Sequence, residues 1–458
     1  MSPELLDEFR QLLGRAGVVS EDIRQRPTDG WGHQNCFARA ILRPANTREL
    51  SEIMKRCSAV GQKVVTHGGC TNMTGGCDAD SNELVISLER MNAIESVDVD
   101  NRTMVVQAGV PLQVIQERAE TEGLFFALDL GARGSATIGG NIATNAGGNQ
   151  VIRYGMAREQ VLGLEVVLAD GRVLSSMNQM LKNNAGFDLK QLFIGSEGTL
   201  GIITRAVLRL RPSLPVSTTA MVATDHFAHM PKLLNHMDRA LGGKLSAFET
   251  LWQSYYRIAC QGEHQGKAPL PDNYPYYILL ESSGVNADED RQLLLGALES
   301  ALEKGLICDA VLAESGQQQQ TLWAIRDNIP ALLAYHPMIL FDISLPIRAM
   351  ASYLVEMEAN IRAIDPALFV ATLGHLGDGN LHVAVQLGEE SPQRRRAVEL
   401  AVYEPLQQRG GSISGEHGIG LEKKPYLALC CSEVEITVMK QLKQLFDPQC
   451  LLNCGKVI

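Results

Sequence analysis

The stretch Gly131-Ala132-Arg133-Gly134-Ser135-Ala136-Thr137-Ile138-Gly139-Gly140-Asn141-Ile142-Ala143-Thr144-Asn145-Ala146-Gly147-Gly148 places two Gly-Gly pairs in 18 mostly small residues. An earlier cluster, Gly68-Gly69-Cys70-Thr71-Asn72-Met73-Thr74-Gly75-Gly76, has the same texture. Glycine lets a backbone approach a ligand closely and expose consecutive N–H groups. The small neighbours Ser135, Ala136, Thr137, Ala143, Thr144 and Ala146 leave room for a bulky flat ligand. Tight turns would account for Gly68-Gly69 alone, but the longer run favours a diphosphate-bearing cofactor. No GxGxxG in a strand–turn–helix setting and no GxxxxGK followed by Ser or Thr occurs. A Rossmann nicotinamide enzyme and a P-loop NTPase therefore lose weight.

Working outward, Lys63-Val64-Val65-Thr66 reads as a strand running into His67-Gly68-Gly69. Asn46 caps a helix carrying Leu50, Ile53, Met54, Cys57 and Val60 at helical spacing. Strands are predicted at 84–88, 95–99 and 103–108, and a helix between Pro111 and Gly123. Asp170-Gly171 marks a hairpin, and a strand near 201–210 ends at Arg211-Pro212. Beyond Pro212 glycine thins out. Strands near 275–283, 306–313, 338–345, 367–375 and 381–387 alternate with helices near 287–304, 316–328, 346–362 and 391–409. This texture predicts an antiparallel sheet with helices on one face. A last helix is read at 433–446.

Gly374-His375-Leu376-Gly377-Asp378-Gly379-Asn380-Leu381-His382 sets a turn between two histidines, and Ser414-Gly415-Glu416-His417-Gly418 follows. If Asp378-Gly379 turns a hairpin, His375 and His382 approach each other on adjoining strands. Two imidazoles and the Glu416 carboxylate would make a three-ligand divalent site with an open position. A single loop histidine is usually only solvated. Three of the ten histidines in two glycine-framed segments are less easily dismissed.

Composition sets the outer bounds. The 458 residues suggest two or three domains, and 45% hydrophobic against 20% charged residues predicts large cores. With 41 basic and 52 acidic residues the net charge is −11, which disfavours general binding of nucleic acid or anionic lipid. No apolar run reaches the roughly 18 residues of a membrane span. The acidic amphipathic opening does not resemble a signal peptide, so a soluble cytoplasmic protein is expected. Ten cysteines without a CxxC pair fit reduced thiols rather than clustered metal or iron–sulfur spacings.

Taken together, these motifs resemble the flavin-dependent D-2-hydroxy-acid dehydrogenases of the vanillyl-alcohol oxidase superfamily, a group that includes D-lactate and D-2-hydroxyglutarate dehydrogenases and the glycolate oxidase flavin subunit. Its carriers are residues 66–76, 135–148, Arg153-Tyr154-Gly155, Ile194 to Gly201, 374–382, 414–420 and Asn453-Cys454-Gly455-Lys456. The resemblance implies an α+β protein: an FAD-binding domain at 1–213, an α+β cap domain at 214–424 and a return to the FAD domain at 425–458. It assigns His67, Gly68, Gly69, Cys70, Thr71 and Asn72 to FAD, with Ser135, Thr137, Gly139, Gly140, Asn141, Thr144, Ala146, Gly147 and Gly148. Arg153, Gly155, Glu197, Gly198, Gly201, Ile203 and Asn453 join them. It makes His375, His382 and Glu416 ligands of a divalent metal, zinc or manganese, His417 the base, and Arg326 the partner of a substrate carboxylate. Without it, Arg326 would read as a solvated helix arginine.

The departures sharpen the expectation. Cys70 stands where some relatives carry a flavin-linking histidine, so the FAD is expected to be non-covalent. Cys454 replaces a usual proline. D-2-hydroxyglutarate enzymes carry a lysine, a hydroxyl residue and an asparagine where this chain has Leu340, Pro330 and Ala384. Burying a second carboxylate among apolar groups is costly. The expected activity is therefore FAD- and metal-dependent oxidation of a D-lactate-like acid with a short or apolar side chain, with His417 as base and hydride passing to flavin N5. The alternatives are a D-2-hydroxyglutarate dehydrogenase, an oxidase using O₂, a non-catalytic flavoprotein subunit of a glycolate-oxidase-like complex, or a metal hydrolase whose glycines only form turns. A separate electron acceptor, an electron-transfer flavoprotein or a quinone, is implied. A homodimer is compatible.

Overall fold

A computed structural model describes residues 3–30, 34–261 and 268–458, which form two compact units. The first comprises Met1–Gly148, Tyr154–Ser213 and Glu416–Ile458, and the second Asn149–Arg153 and Leu214–Gly415.

In the first unit the helix Thr47–Val60 starts where Asn46 Oδ1 accepts from Glu49 N–H at 2.9 Å. The Glu49 carboxylate reaches back to the Ala45 N–H at 2.8 Å. Such caps contribute about 1 kcal/mol each. The helix buries Leu50, Ile53, Met54 and Cys57. A four-stranded sheet runs Val18–Val19, Ala40–Leu42, Leu84–Ser87, Val64–His67, the last three mutually parallel. A five-stranded antiparallel sheet runs Ile94–Asp98, Thr103–Gln107, Ile202–Arg209, Val161–Val167, Val173–Ser176. The Asp170-Gly171 turn joins the final pair, as its sequence predicts. One hydrophobic core joins both sheets, from Leu42 and Val64 to Val106, Val166 and Leu208.

Val64–His67 is an edge strand, and the chain's last segment completes that edge. Val64 N–H donates to Leu451 O at 2.8 Å, and Asn453 N–H donates to Val64 O at 2.9 Å. The helix Glu433–Phe446 leads into this segment, opened by a Ser432–Glu435 capping box.

The second unit is built on a seven-stranded sheet, every pair antiparallel. Its order is Asp309–Leu312, Val216–Thr224, Tyr276–Gly284, Leu245–Trp252, Val370–His375, Asn380–Gln386, Met338–Ser344. The helices do not keep to one face as the sequence suggested. Met221 and Ala223 point to the cluster holding Tyr255, Tyr256, Leu322 and Ile325 from the helices Gln253–Ala259 and Gly316–Arg326. Ala220 and Val222, on the alternate face, are equally buried. The helices His229–Leu241 and Ala287–Glu303 also pack against the sheet.

The second unit ends at Gly415. The reason is backbone bonding within the first unit: Ile419 and Gly420 N–H donate to Glu197, and Leu421 and Glu422 N–H to Thr74 O. Asn149–Arg153 joins the second unit because Arg153 donates to Lys244 O and Ser283 O, both at 3.2 Å. Among the described residues no helix is long and apolar enough to cross a membrane.

Candidate active site

The two glycine segments meet in the first unit. A Cβ on Gly69 would lie 2.0 Å from Ser135 O, and one on Gly68 2.6 Å from Thr137 Oγ1. Only glycine fits there. Gly139 is pressed against Ala108 and Gly148 against Asp129 O. Cys70 takes a left-handed φ of 51°, and the Asn72 side chain then organises the loop. Its Oδ1 accepts from Thr74 N–H and Oγ1–H at 2.7 and 2.8 Å, and its Nδ2 donates to His417 O at 3.0 Å. Three buried polar atoms along these loops have no hydrogen-bond partner: Thr66 Oγ1, Thr137 Oγ1 and Asn141 Nδ2. Buried polar groups are normally satisfied, so a set of orphans on a cradle of small residues calls for a polar ligand. A diphosphate-bearing flavin fits this chemistry.

Other residues expected at the cofactor bond to neighbouring segments of the protein. The buried Glu197 carboxylate accepts from Ile419 and Gly420 N–H at 2.7 and 3.0 Å. Burial pushes its pKa up, and those two N–H groups oppose the rise. Glu197 O accepts from Asn453 Nδ2 at 2.6 Å, while Asn453 Oδ1 accepts from Thr66 N–H at 2.9 Å. His67 turns its Nε2 to Cys77 O at 2.7 Å, and burial holds its pKa down to about 4. It is a neutral structural histidine. Ile203 belongs to the hydrophobic core. Arg153 spends its guanidinium on backbone carbonyls of the second unit.

In the second unit the turn Leu376–Asp378, closed by Gly379 at φ 85°, returns the strand Val370–His375 into Asn380–Gln386. The His375 and His382 ring centroids are 5.3 Å apart, nearly perpendicular at 82°. Cross-strand register sets Glu249 opposite His375 and Asp342 opposite His382. Asp342 is fully buried and accepts from Asn380 Nδ2 at 2.8 Å and Gly415 N–H at 3.1 Å. Glu416 follows Gly415 directly in the chain, one residue past the N–H that Asp342 accepts. Two imidazoles and a carboxylate are a donor set that a divalent ion fits.

Sequence reading missed Glu249. Its Oε1 meets His375 Nδ1 at 2.7 Å and its Oε2 meets Arg326 Nε at 2.8 Å. Burial would raise the Glu249 carboxyl, but His375 and Arg326 overcome it and hold it at about 2. With Nδ1–H given to Glu249, the lone pair of His375 lies on Nε2. Arg326 also donates to that Nε2 at 3.0 Å and to Asp327 at 3.1 Å. It is a largely buried, ion-paired residue rather than a solvated one. The available signal was a lone carboxylate in the apolar run Leu245–Trp252.

Two residues along the same sheet face from the Asp342–His382 pair, Leu340 and Ala384 face each other. They continue into the apolar cluster with Leu251, Ala371 and Leu373. Pro330, the third apolar replacement, is exposed.

A glycine cradle with orphaned polar atoms in the first unit is the feature expected of an FAD-binding fold. Residues 38–176 match the FAD binding domain family, and residues 214–457 match the FAD linked oxidases, C-terminal domain. The chain is 38% identical over 424 residues to a D-2-hydroxyglutarate dehydrogenase of Xanthomonas citri pv. viticola, covering 91% of this chain and 89% of the relative. It is 35% identical over 469 residues to a putative mitochondrial D-lactate dehydrogenase of Schizosaccharomyces pombe, covering 98% and 89%. Among solved structures, p-cresol methylhydroxylase with substrate bound aligns with a TM-score of 0.78 at 15% identity, covering 99% of this chain and 96% of that one. The chain belongs to the FAD-dependent D-2-hydroxy-acid dehydrogenase family, and it is an FAD-linked oxidoreductase.

Proposed function

We propose that the protein oxidises a D-2-hydroxy acid with a short or apolar side chain to the 2-oxo acid, and that it needs a divalent metal to do so. FAD, when bound, supplies the two-electron acceptor, and a zinc or manganese ion held by His375, His382 and Glu416 supplies a Lewis acid. His417 takes the proton from the substrate 2-hydroxyl. Glu249 orients His375, and Asp342 stands behind His382. Arg326 lends positive charge for the substrate carboxylate while Glu249 fixes its guanidinium. Electrons then pass to a separate acceptor, an electron-transfer flavoprotein or a quinone.

The observation that carries the substrate class is the Leu340–Ala384 pair beside Asp342 and His382. A second carboxylate brought there would lose water without gaining a charged partner, at a cost of several kcal/mol. Each apolar methylene would instead gain about 0.8 kcal/mol. A second reading, D-2-hydroxyglutarate as substrate, is favoured by the identity to a D-2-hydroxyglutarate dehydrogenase. Anaerobic flavin reduction against a panel of D- and L-2-hydroxy acids separates them. D-lactate, D-2-hydroxybutyrate or a bulkier apolar D-acid is expected to give the highest kcat/KM. If D-2-hydroxyglutarate exceeds every monocarboxylic acid, the second reading replaces the first.

A further inference from the structure

The segment that completes the edge of Val64–His67 carries two thiols four residues apart. Cys450 Sγ and Cys454 Sγ are 2.6 Å from each other. That spacing approaches the roughly 2.05 Å of a covalent disulfide and is far inside ordinary thiol contact. The backbone holds them there: Cys450 and Asn453 both take left-handed φ values, 52° and 42°, which fold the four-residue step back on itself. Asp447 pins the same step, its carboxylate accepting from Leu451 and Leu452 N–H at 2.9 and 2.8 Å.

The pair is also open to a small oxidant. Both cysteines are only partly buried. Lys63 lies against Cys454, whose proximity is the chief cause of a raised lysine pKa. Lys443 donates to Leu452 O at 2.7 Å and is ion-paired with the Asp447 carboxylate at 2.6 Å. An oxidant can reach a thiol only where it is partly exposed. Nothing in the flavin chemistry uses either sulfur.

We infer that Cys450 and Cys454 form a redox-active dithiol, a modification site that a hydroperoxide closes to an intrachain disulfide. The Cys454 thiolate attacks one peroxide oxygen; the S–O bond forms, the O–O bond breaks and hydroxide leaves, taking up a proton to become water. The Cys450 sulfur then attacks Cys454; the S–S bond forms, the S–O bond breaks and a second water leaves. Two thiols and one peroxide give one disulfide and two waters. The two sulfurs together lose two electrons, and the peroxide gains them.

The test uses the flavin-loaded enzyme treated with hydrogen peroxide, then alkylated without reductant and digested with trypsin. Cleavage after Lys443 and Lys456 leaves Gln444–Lys456, which contains both cysteines and no other. The expected product is this peptide without alkyl groups and lighter by two hydrogens than its reduced form, returned to the doubly alkylated form by dithiothreitol. In Cys450→Ser the bridged peptide disappears and Cys454 is trapped by dimedone as a sulfenic acid. Two independently alkylated cysteines after peroxide, or single sulfinic acids with no bridged peptide in the wild-type protein, overturn the inference. The wild-type measurement decides the matter without depending on how the variant folds.

Discussion

Glu249 shows how much one buried side chain can govern. It fixes the His375 ring through Nδ1 and holds Arg326 through Nε, so its loss disturbs two residues of the proposed site at once. Partners behind metal-ligating histidines typically account for 10–100-fold in affinity. Glu249→Gln should weaken zinc or manganese binding by about that factor, read by metal titration, with flavin content unchanged. Under the proposed function His417 takes the substrate proton, so His417→Ala should slow anaerobic flavin reduction by at least about 10²-fold, read by stopped flow. His67 acts through protonation. The unfolded chain would protonate it near pH 6.5 and the folded chain only near 4. Stability is therefore fully present above the higher value and is lost as pH falls between the two, by about 3 kcal/mol. Urea unfolding at pH 7 and pH 5 measures this, and His67→Asn should flatten the dependence.

At the level of elements, the glycine segments act as a clasp. Gly69→Ala would drive a methyl group into Ser135 O and part the two loops, so the variant is expected to purify with little flavin; the ratio of flavin to protein absorbance checks it. Most of these elements were legible in the sequence. The Asn46 cap, the Asp170-Gly171 hairpin and the GDGN turn carry local signals, and the turn alone aligns His375 with His382. The region 214–260 was not read. Its strand Val216–Thr224 is buried on both faces through most of its length, so it shows no alternation. The helix His229–Leu241 carries Pro231 in its first turn, where proline reads as a break. The Glu249–His375 bond joins residues 126 apart, and no periodicity reports such a contact. Arg326 was noticed only through resemblance, because its partner belongs to the same unreadable region.

For the molecule as a whole, the proposed function has FAD bound non-covalently, since Cys70 stands after Gly68-Gly69 where a linking histidine would be. The protein should purify yellow, and acid or organic solvent should release the colour. Fluorescence remaining with the precipitated polypeptide would contradict non-covalent binding. The first unit is also discontinuous in sequence: its segment Glu416–Ile458 follows the whole of Leu214–Gly415. During translation, then, the nascent chain exposes the Val64–His67 edge long before Leu451–Asn453 exists to cover it. At ribosomal speeds of about 5–20 residues per second, the intervening unit alone takes roughly ten to forty seconds to emerge. An uncovered strand edge is a template for pairing with other chains. The second unit can fold first, and the flavin unit must wait beside the ribosome with its edge open, so this is the interval in which a chaperone would matter most.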